Sequence, residues 1–346
     1  MLYLEAYKLF KRKLTCILLI GIFLIIAIPQ ISNALYIMPD YEEFQQRIDI
    51  FEKHNELLTD SSAERFWEDY KDILSEEEVK QIYTDYDHIY FEDGKLISIE
   101  NTFPYISFDI IFGFYEQWQI YLIDLISYMQ YIPIFVAVVF SGIFTYDKTC
   151  GMQEIMLSAR NGRKKSTKAK VLLAFLMTNI MFLVVAIIAS VHMFLFTQGR
   201  GWNTSIQLNI LLRDSPLNMN FGILWLHTLF LSFVAVNSFL FITLSVSFLA
   251  KNPVVAMCVS LGVLFILRPD VVEAFVGNRE IAGKIVSLTP YNIINTFDLA
   301  RRMPVTVSGI TVQWIYLVEV IYVVLLTAGG IFFFLKLIKK HKYFAA

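Results

Sequence analysis

The hydrophobic pattern of the chain is dominated by long, nearly uninterrupted apolar runs. Most are close to the roughly 20 residues that an α-helix needs to cross about 30 Å of hydrocarbon. They predict six membrane-spanning helices, called spans 1 to 6, the last of which continues into a basic tail. The predicted bounds are 14–38, 120–146, 171–197, 221–249, 253–267 and 312–346. We therefore predict an all-α polytopic membrane protein with six transmembrane helices.

Span 5 departs from this pattern because its apolar run stops at Leu267, after 15 residues. Arg268-Pro269-Asp270 interrupts it, and only semi-apolar pieces follow. The pattern predicts a helix that reaches part-way across, followed by short re-entrant helices within an outer segment, 268–311. Irregular backbone at membrane depth needs protein or water around it.

A long polar segment, 39–119, separates spans 1 and 2 and predicts a small extracellular α+β insert. Its first half contains three capping boxes, in which an acceptor is followed three residues later by Glu: Asp40…Glu43, Ser61…Glu64 and Ser75…Glu78. Asp93-Gly94 then predicts a type I′ hairpin. Its two-residue loop would pair Phe91 with Leu96, Tyr90 with Ile97 and Glu92 with Lys95.

Composition supports the membrane assignment. The 346-residue chain is 56% hydrophobic and only 17% charged, whereas soluble domains carry about a quarter charged residues. The net charge of −2 hides an asymmetry, since residues 40–119 alone carry −15 and the rest +13. None of the three cysteines lies in this acidic segment, so no disulfide framework is predicted.

The distribution of cations predicts the orientation. Lys and Arg flanking spans stay on the cytoplasmic side, and the four predicted cytoplasmic segments hold 16 of the 29 Lys and Arg residues. Both termini are then cytoplasmic, and residues 1–13 form a basic interfacial helix on the inner leaflet. The competing interpretation is a signal peptide cleaved near Ser32-Asn33-Ala34, which the length of the apolar run opposes.

The most informative segment is the basic cytoplasmic loop, 147–170, between spans 2 and 3. It contains a short apolar helix candidate with Met152, Ile155, Met156 and Leu157, between Gly151 and an Arg160-Asn161-Gly162 break. A helix this short is marginal alone and needs a partner surface. The alternative interpretation is that Gly151–Ser158 merely caps a hairpin of spans.

No catalytic motif accompanies these features. The chain has no G-x-x-x-x-G-K-[ST] phosphate-binding loop, no H-E-x-x-H, no G-x-S-x-G and no Cys/His cluster with metal-ligand spacing. We therefore expect no enzymatic activity in this chain, no cofactor and no metal site of its own, and no nucleic-acid partner.

The loop resembles the first cytoplasmic loop of type-2 exporter permeases of the ABC transporter superfamily. The matching landmarks are Phe140, Ser141, Gly151, Leu157, Ser158, Arg163 and Lys170. The six spans, the basic N-terminus, the segment before span 6 and Leu288-Thr289-Pro290-Tyr291-Asn292 agree with that family, whereas 39–119 is an unusually large insert. Two departures stand out: the usual acidic residue before Tyr146 is absent, and the usual proline after Leu157-Ser158 is replaced.

The resemblance implies that the loop helix is a coupling helix, seated on a separate ATPase subunit that binds ATP and Mg. Two such subunits, and a second permease copy or a homologous permease, are the implied partners. The residues implied in coupling are Gly151, Met152, Glu154, Ile155, Met156, Leu157 and Ser158.

Three ionisable residues inside spans are candidates for a translocation pathway: His192, His227 and Glu319. Each lies one to two turns from the predicted outer end of its span, which predicts one layer. An intramembrane ionisable group is costly and indicates function by default. The alternatives are interfacial snorkelling and a plain interhelical hydrogen bond.

These observations predict an exporter permease for a peptide, drug or lipid-like substrate in a bacterial plasma membrane. One alternative is a membrane sensor or immunity factor whose acidic insert binds an antimicrobial ligand without transporting it. Another is a polytopic membrane enzyme, which the missing motifs disfavour. The charge on the insert would steer cationic peptides, or it simply keeps the insert soluble and away from anionic lipid.

Overall fold

The protein is mostly helical. The computed structural model describes residues 2–11, 13–37, 41–59, 61–62, 65–66, 69, 91–92, 95–96, 108–115, 117–152, 162–209, 211–265, 269–307 and 310–343. Its helices are α1 (Leu2–Phe10), α2 (Lys13–Ile37), α3 (Tyr41–Lys53), α4 (Trp118–Phe140), α5 (Thr145–Thr149), α6 (Gly162–Thr197), α7 (Phe221–Leu249), α8 (Pro253–Phe265), α9 (Pro269–Val276), α10 (Arg279–Ser287), α11 (Thr296–Ala300) and α12 (Trp314–Tyr343). Short 3₁₀ turns occupy Ile206–Leu208 and Asn292–Ile294.

Within the described residues, four helices are long and apolar enough to cross a membrane. Thr15–Ser32 lies within predicted span 1, Trp118–Thr149 and Lys165–Thr197 contain spans 2 and 3, and Phe221–Leu249 matches span 4. Two shorter apolar stretches, Pro253–Phe265 and Trp314–Gly330, occupy the positions of spans 5 and 6. The four long apolar helices indicate a membrane protein.

The basic loop is shorter than predicted, because α6 begins at Gly162 and not after Lys170. The cations at 163–170 are therefore helical. Lys, Arg and Ala are good helix formers, and no breaker follows Gly162. The start of the apolar run marks where a helix meets the membrane, which is a different position from where the helix begins.

The bundle packs around α4 and α7. Helix α7 contacts α4, α6, α8 and α12, and α4 also contacts α2 and α6. The largest fully buried side chains of this core are aromatic: Trp118, Phe135, Phe140, Trp225 and Phe239. Because α4 and α7 have neighbours on several sides, they are the fixed elements against which the other helices are placed.

The helices alternate in direction, so the bundle has two distinct ends. We call the end that carries residues 41–59 and 108–115 the insert end, and the end that carries Lys148 and Lys251 the basic end. At the insert end, α3 is tied to the end of α6 and the loop that follows it: Asp49 pairs with Arg200, and Glu52 Oε1 accepts from Gly201 N at 2.9 Å. The insert is therefore fastened to the bundle.

The loop 198–220 is packed tightly under the insert. Gly201 has φ +74°, and a Cβ there would overlap the Phe114 carbonyl and the Trp118 indole. A Cβ at Gly222 would likewise overlap Trp202. The Trp118 ring lies 5.8 Å from Trp202 and stacks on Phe221 at 5.8 Å. Aromatic side chains concentrate at membrane–water interfaces, so this cluster is suited to that boundary.

Two small antiparallel sheets complete the fold. In the first, β1 (Phe91–Glu92) and β2 (Lys95–Leu96) pair Phe91 with Leu96 and Glu92 with Lys95, as the Asp93-Gly94 turn predicts. The predicted Tyr90–Ile97 pair, the third capping box and one residue of each of the first two, Asp40 and Glu64, lie outside the described residues. The second sheet, β3 (Val305–Val307) with β4 (Ile310–Val312), was not predicted. Its signal was present: the three residues on each side of Ser308-Gly309 are all β-branched, with threonine between two apolar residues on each side.

The segment after α8 folds back into the bundle. Gln130 Nε2 donates to the Tyr291 carbonyl at 3.4 Å. Gln130 lies 12 residues inside α4, about 18 Å along the helix from its insert end at 1.5 Å per residue. The Tyr322 hydroxyl donates to the Leu288 carbonyl at 2.5 Å. Residues 288–291 therefore lie beside the middle of two long helices.

Candidate functional site

At the basic end, an ion pair joins the two ends of the loop between α4 and α6. Asp147, on α5, forms an ion pair with Lys170, on α6. Lys170 is only 4% exposed, and its ammonium also lies 5.6 Å from the centre of the Phe144 ring. A buried ion pair of this kind holds the two flanks of the loop together, since losing either partner leaves an uncompensated charge.

The same loop base is bound to the end of α7. Lys148 Nζ donates to the carbonyl oxygens of Phe248 at 2.5 Å and Ala250 at 2.9 Å. Phe144 N donates to Ser247 Oγ at 3.1 Å. A cation beside the last carbonyls of a helix also interacts favourably with the helix dipole. Helix α5 thereby connects α4, α6 and α7 in one assembly.

The N-terminal helix joins this assembly. Glu5, on α1, is buried; it accepts from Ser166 Oγ at 3.5 Å and pairs with Lys8 at 3.2 Å. Helix α1 packs along α6 and also contacts α2. Three of its aromatic side chains, Tyr3, Tyr7 and Phe10, remain exposed. Exposed aromatic rings beside cations suit an interfacial position.

Two of the seven predicted coupling residues are described. Gly151 has φ +67° and open space around it, and Met152 is exposed. Gly151 lies two residues after the end of α5, and its left-handed backbone is typical of a residue that follows a helix C-terminus. Glu154, Ile155, Met156, Leu157 and Ser158 lie outside the described residues.

Toward the insert end, the structure brings together two of the three predicted intramembrane residues. His227 Nδ1, on α7, is hydrogen-bonded to Glu319 Oε1, on α12. Their side chains are 20% and 15% exposed. The Tyr316 ring lies 5.6 Å from the imidazole, and the neighbouring Thr228 hydroxyl meets Thr296 at 2.6 Å. The pair can bind or pass a proton and can hydrogen-bond a polar group.

His192 has different neighbours from the other two. Its buried ring makes edge contacts with Tyr121 at 5.5 Å and Phe196 at 5.1 Å, and its Nε2 has no hydrogen-bond partner among the described residues. It lies five residues from the end of α6, so its depth is similar to that of His227 and Glu319. The three residues therefore lie at similar depths but form two separate groups, His192 and the His227–Glu319 pair.

Sequence reasoning missed a fourth ionisable residue of this layer. Asp124 lies six residues inside α4, half-buried, and interacts with Tyr121 and Tyr128. The signal was available, because an Asp in an apolar run is as unusual as a Glu.

In the insert, a small charged cluster lies at the C-terminal end of α3. Asp69 pairs with Lys53 at 2.5 Å and with His54 at 3.0 Å. The hydrogen bond from Lys53, and then that from His54, hold the pKa of the Asp69 carboxyl below its usual range. Phe51, Phe66 and Phe112 pack beside this cluster. Within the described part of the chain, no group of three or more His, Cys, Asp or Glu side chains could hold a metal ion.

Comparison with protein-family models, with curated proteins and with solved structures finds no match to this chain.

Proposed function

We propose that this chain is the membrane-spanning permease subunit of an ATP-driven ABC exporter. Its substrate would be a peptide, drug or lipid-like molecule, and ATP would be bound by a separate subunit. The observation that supports this best is the locked loop base, in which Asp147 pairs with Lys170 while Lys148 holds the end of α7. A loop anchored in this way transmits a push from a partner to three helices at once.

In this proposal, the spans are six, both termini are cytoplasmic and the basic end faces the cytoplasm. Helix α8 crosses part-way, and α9 to α11 form the re-entrant segment. The hydrogen bond from Gln130 to the Tyr291 carbonyl supports this arrangement, because irregular backbone at membrane depth needs such partners. The coupling residues 151–158 then project from the basic end toward two ATPase subunits, which drive the change of access.

The test is co-purification of the ATPase from the native host, followed by ATP turnover and transport. Ile155→Asp and Glu154→Arg are expected to abolish substrate-stimulated ATP turnover while leaving the protein inserted. Lys168→Glu, a charge reversal on an exposed residue of the same end, is the control and should leave turnover intact. Full stimulation in both loop variants would contradict the proposal.

A second function is supported by the docking of the insert. Helix α3 is fastened to the loop after α6 through Asp49 and Glu52, and Gln45 Nε2 donates to the Phe196 carbonyl near the end of α6, so a ligand on the insert could report through α6 without being transported. The chain would then be a sensor or immunity factor for a cationic antimicrobial peptide, steered by the acidic insert. Peptide binding that is salt-dependent, with no associated ATPase and no transport, would favour this function over the permease.

A further inference from the structure

A group of polar side chains lies on a face of α4 that reaches α6. Tyr121, Asp124 and Tyr128 are spaced three and four residues apart, so they share one side of the helix. The Tyr121 ring meets the ring of His192, on α6, edge-on at 5.5 Å. The Asp124 carboxylate interacts electrostatically with both tyrosines. We call these four residues the Asp124 cluster.

Two members of the Asp124 cluster are buried with hydrogen-bonding capacity to spare. Tyr121 is 3% exposed and His192 is 8% exposed. Within the part of the chain that the structure describes, neither the Tyr121 hydroxyl nor His192 Nε2 has a hydrogen-bond partner. Because leaving a buried polar group unpaired is costly, both atoms indicate a ligand that forms hydrogen bonds with them.

The charge of Asp124 has no Lys or Arg to balance it in the apolar helices around α4. Asp124 lies six residues inside α4, about 9 Å from the end of the helix at 1.5 Å per residue. Lys and Arg are absent from the apolar segments of α4 and of its neighbours α2, α6, α7 and α8, which are residues 14–37, 118–140, 171–197, 221–249 and 253–265. A carboxylate at such depth is costly without a partner, so the cluster is suited to a ligand that carries a positive charge.

The cluster is accessible from the lipid side of α4. Asp124 is only half-buried, and the neighbouring Ile120 and Ile123 are 45% and 40% exposed. An amphiphile could place its apolar part along these two isoleucines while its head group meets the Asp124 carboxylate. The rings of Tyr121 and Tyr128 lie on the same side of α4, and aromatic rings attract cations.

We propose that the Asp124 cluster binds the cationic head group of an amphiphile, specifically a head group with N–H donors such as a primary ammonium. A primary ammonium has three donors. One donates to the Asp124 carboxylate, and the others donate to the Tyr121 hydroxyl and to His192 Nε2, which accepts when the ring proton is on Nδ1. A quaternary ammonium has the charge but no N–H, so it leaves both buried atoms unpaired.

Binding at the Asp124 cluster does not depend on transport. In the permease proposed above, the cluster would define the substrate class as cationic amphiphiles, and this extension rests on the proposed function. In a sensor, the same site would bind the same ligands. The experiment therefore measures binding without an ATPase, so that a failure to bind leaves the proposed function untouched.

The experiment uses the full-length protein in lipid nanodiscs and two probes with the same apolar chain, octylammonium and octyltrimethylammonium. Isothermal titration calorimetry, with binding to empty nanodiscs subtracted, should show saturable binding of octylammonium. Its dissociation constant should be lower by about tenfold or more than that of octyltrimethylammonium, because only the primary ammonium forms charge-assisted hydrogen bonds. Equal binding of the two probes, or uptake that does not saturate, would overturn the proposal.

Two substitutions locate the site. Asp124→Asn keeps the shape of the side chain but removes its charge, and it should weaken octylammonium binding by about tenfold or more. Tyr121→Phe should weaken it by about three- to tenfold and narrow the difference between the two probes. The matched control, Asp214→Asn, changes an exposed carboxylate at the insert end outside α4 and should leave binding unchanged.

The comparison of the two probes on the unmodified protein decides the question if Asp124→Asn fails to fold. Unchanged octylammonium binding in a folded Asp124→Asn variant contradicts the proposal, as does an equal loss in Asp214→Asn.

Discussion

Asp147 and Lys170 are in direct contact across the base of the loop, although 23 positions separate them in the chain. The pair joins α5 to α6, the two helices between which the predicted coupling residues lie in the sequence. Because Lys170 is buried, the pair has little of the solvent screening that makes surface ion pairs weak.

The first prediction is that Lys170→Met destabilises the protein by on the order of 3 kcal/mol, because it leaves Asp147 without its partner in a largely buried site. Thermal unfolding in detergent measures this. Lys168→Met, two residues away and exposed, is the matched control and should shift the unfolding temperature little. Replacing both partners, with Asp147→Leu added, should recover part of the loss; equal effects at 168 and 170 would show that the ion pair is unimportant.

The second prediction concerns Gly201, where positive φ and close packing coincide. Gly201→Ala should destabilise the protein strongly, since the new Cβ meets the Phe114 carbonyl and the Trp118 indole. Gly151→Ala carries the same left-handed strain in open space, so it should cost only about 1 kcal/mol. The difference between the unfolding temperatures of the two variants measures the effect of the steric clash at residue 201. Similar decreases in both variants would mean that the loop 198–220 can move away from the new Cβ.

The third prediction concerns Asn179 and Asn237, which exchange amide hydrogen bonds of 3.1 and 3.2 Å between α6 and α7. A double-mutant cycle with leucine at each position should give a coupling energy of about 0.6–1.7 kcal/mol. Unfolding in a mixed-micelle denaturant series measures it. Additive single effects would indicate that the two amides do not stabilise each other.

The fourth prediction concerns orientation. Met303, at the insert end, and the native Cys150, at the basic end, are both exposed. With the other cysteines replaced by serine, Met303→Cys should react with an impermeant maleimide in intact cells. Cys150 should react only after the membrane is opened. The reverse pattern would invert the topology and remove the basis for coupling to a cytoplasmic ATPase.

The fifth prediction concerns pH. Since Lys53 and His54 lower the pKa of Asp69, the stabilisation from this carboxylate is present above its unfolded pKa of about 3.9. This stabilisation is lost as the pH falls through the lowered pKa that Asp69 has in the folded protein. Hydrogen exchange at the end of α3, corrected for intrinsic rates, should therefore accelerate in acid. Asp69→Asn should exchange faster already at neutral pH and respond less to acid; an unchanged acid response in that variant would assign the effect to other groups.

Elements whose signals lie in neighbouring residues could be predicted from the amino-acid sequence. Helix α7 has the bounds predicted for span 4; in the structure Asn220 caps it by accepting from Ile223 N, and the helix ends before Ala250. Pro253 opens α8 as predicted, and Asp93-Gly94 determined the register of β1 and β2. These signals involve neighbours in the chain, so no knowledge of packing was needed.

Which helices contact each other could not be predicted in this way and depends on the folded bundle. Helices such as α7 are apolar on every side, so no amphipathic stripe marks the face that is buried. The position of a residue along its span could be predicted from the sequence, and it placed His192, His227 and Glu319 at similar depths. Their partners depend on how each helix is rotated about its axis and on which helices lie next to it. Glu319 therefore meets His227 from 92 positions away, whereas His192 packs on Tyr121. Rotation about a helix axis is set by the packed side chains of other helices, which no local signal contains.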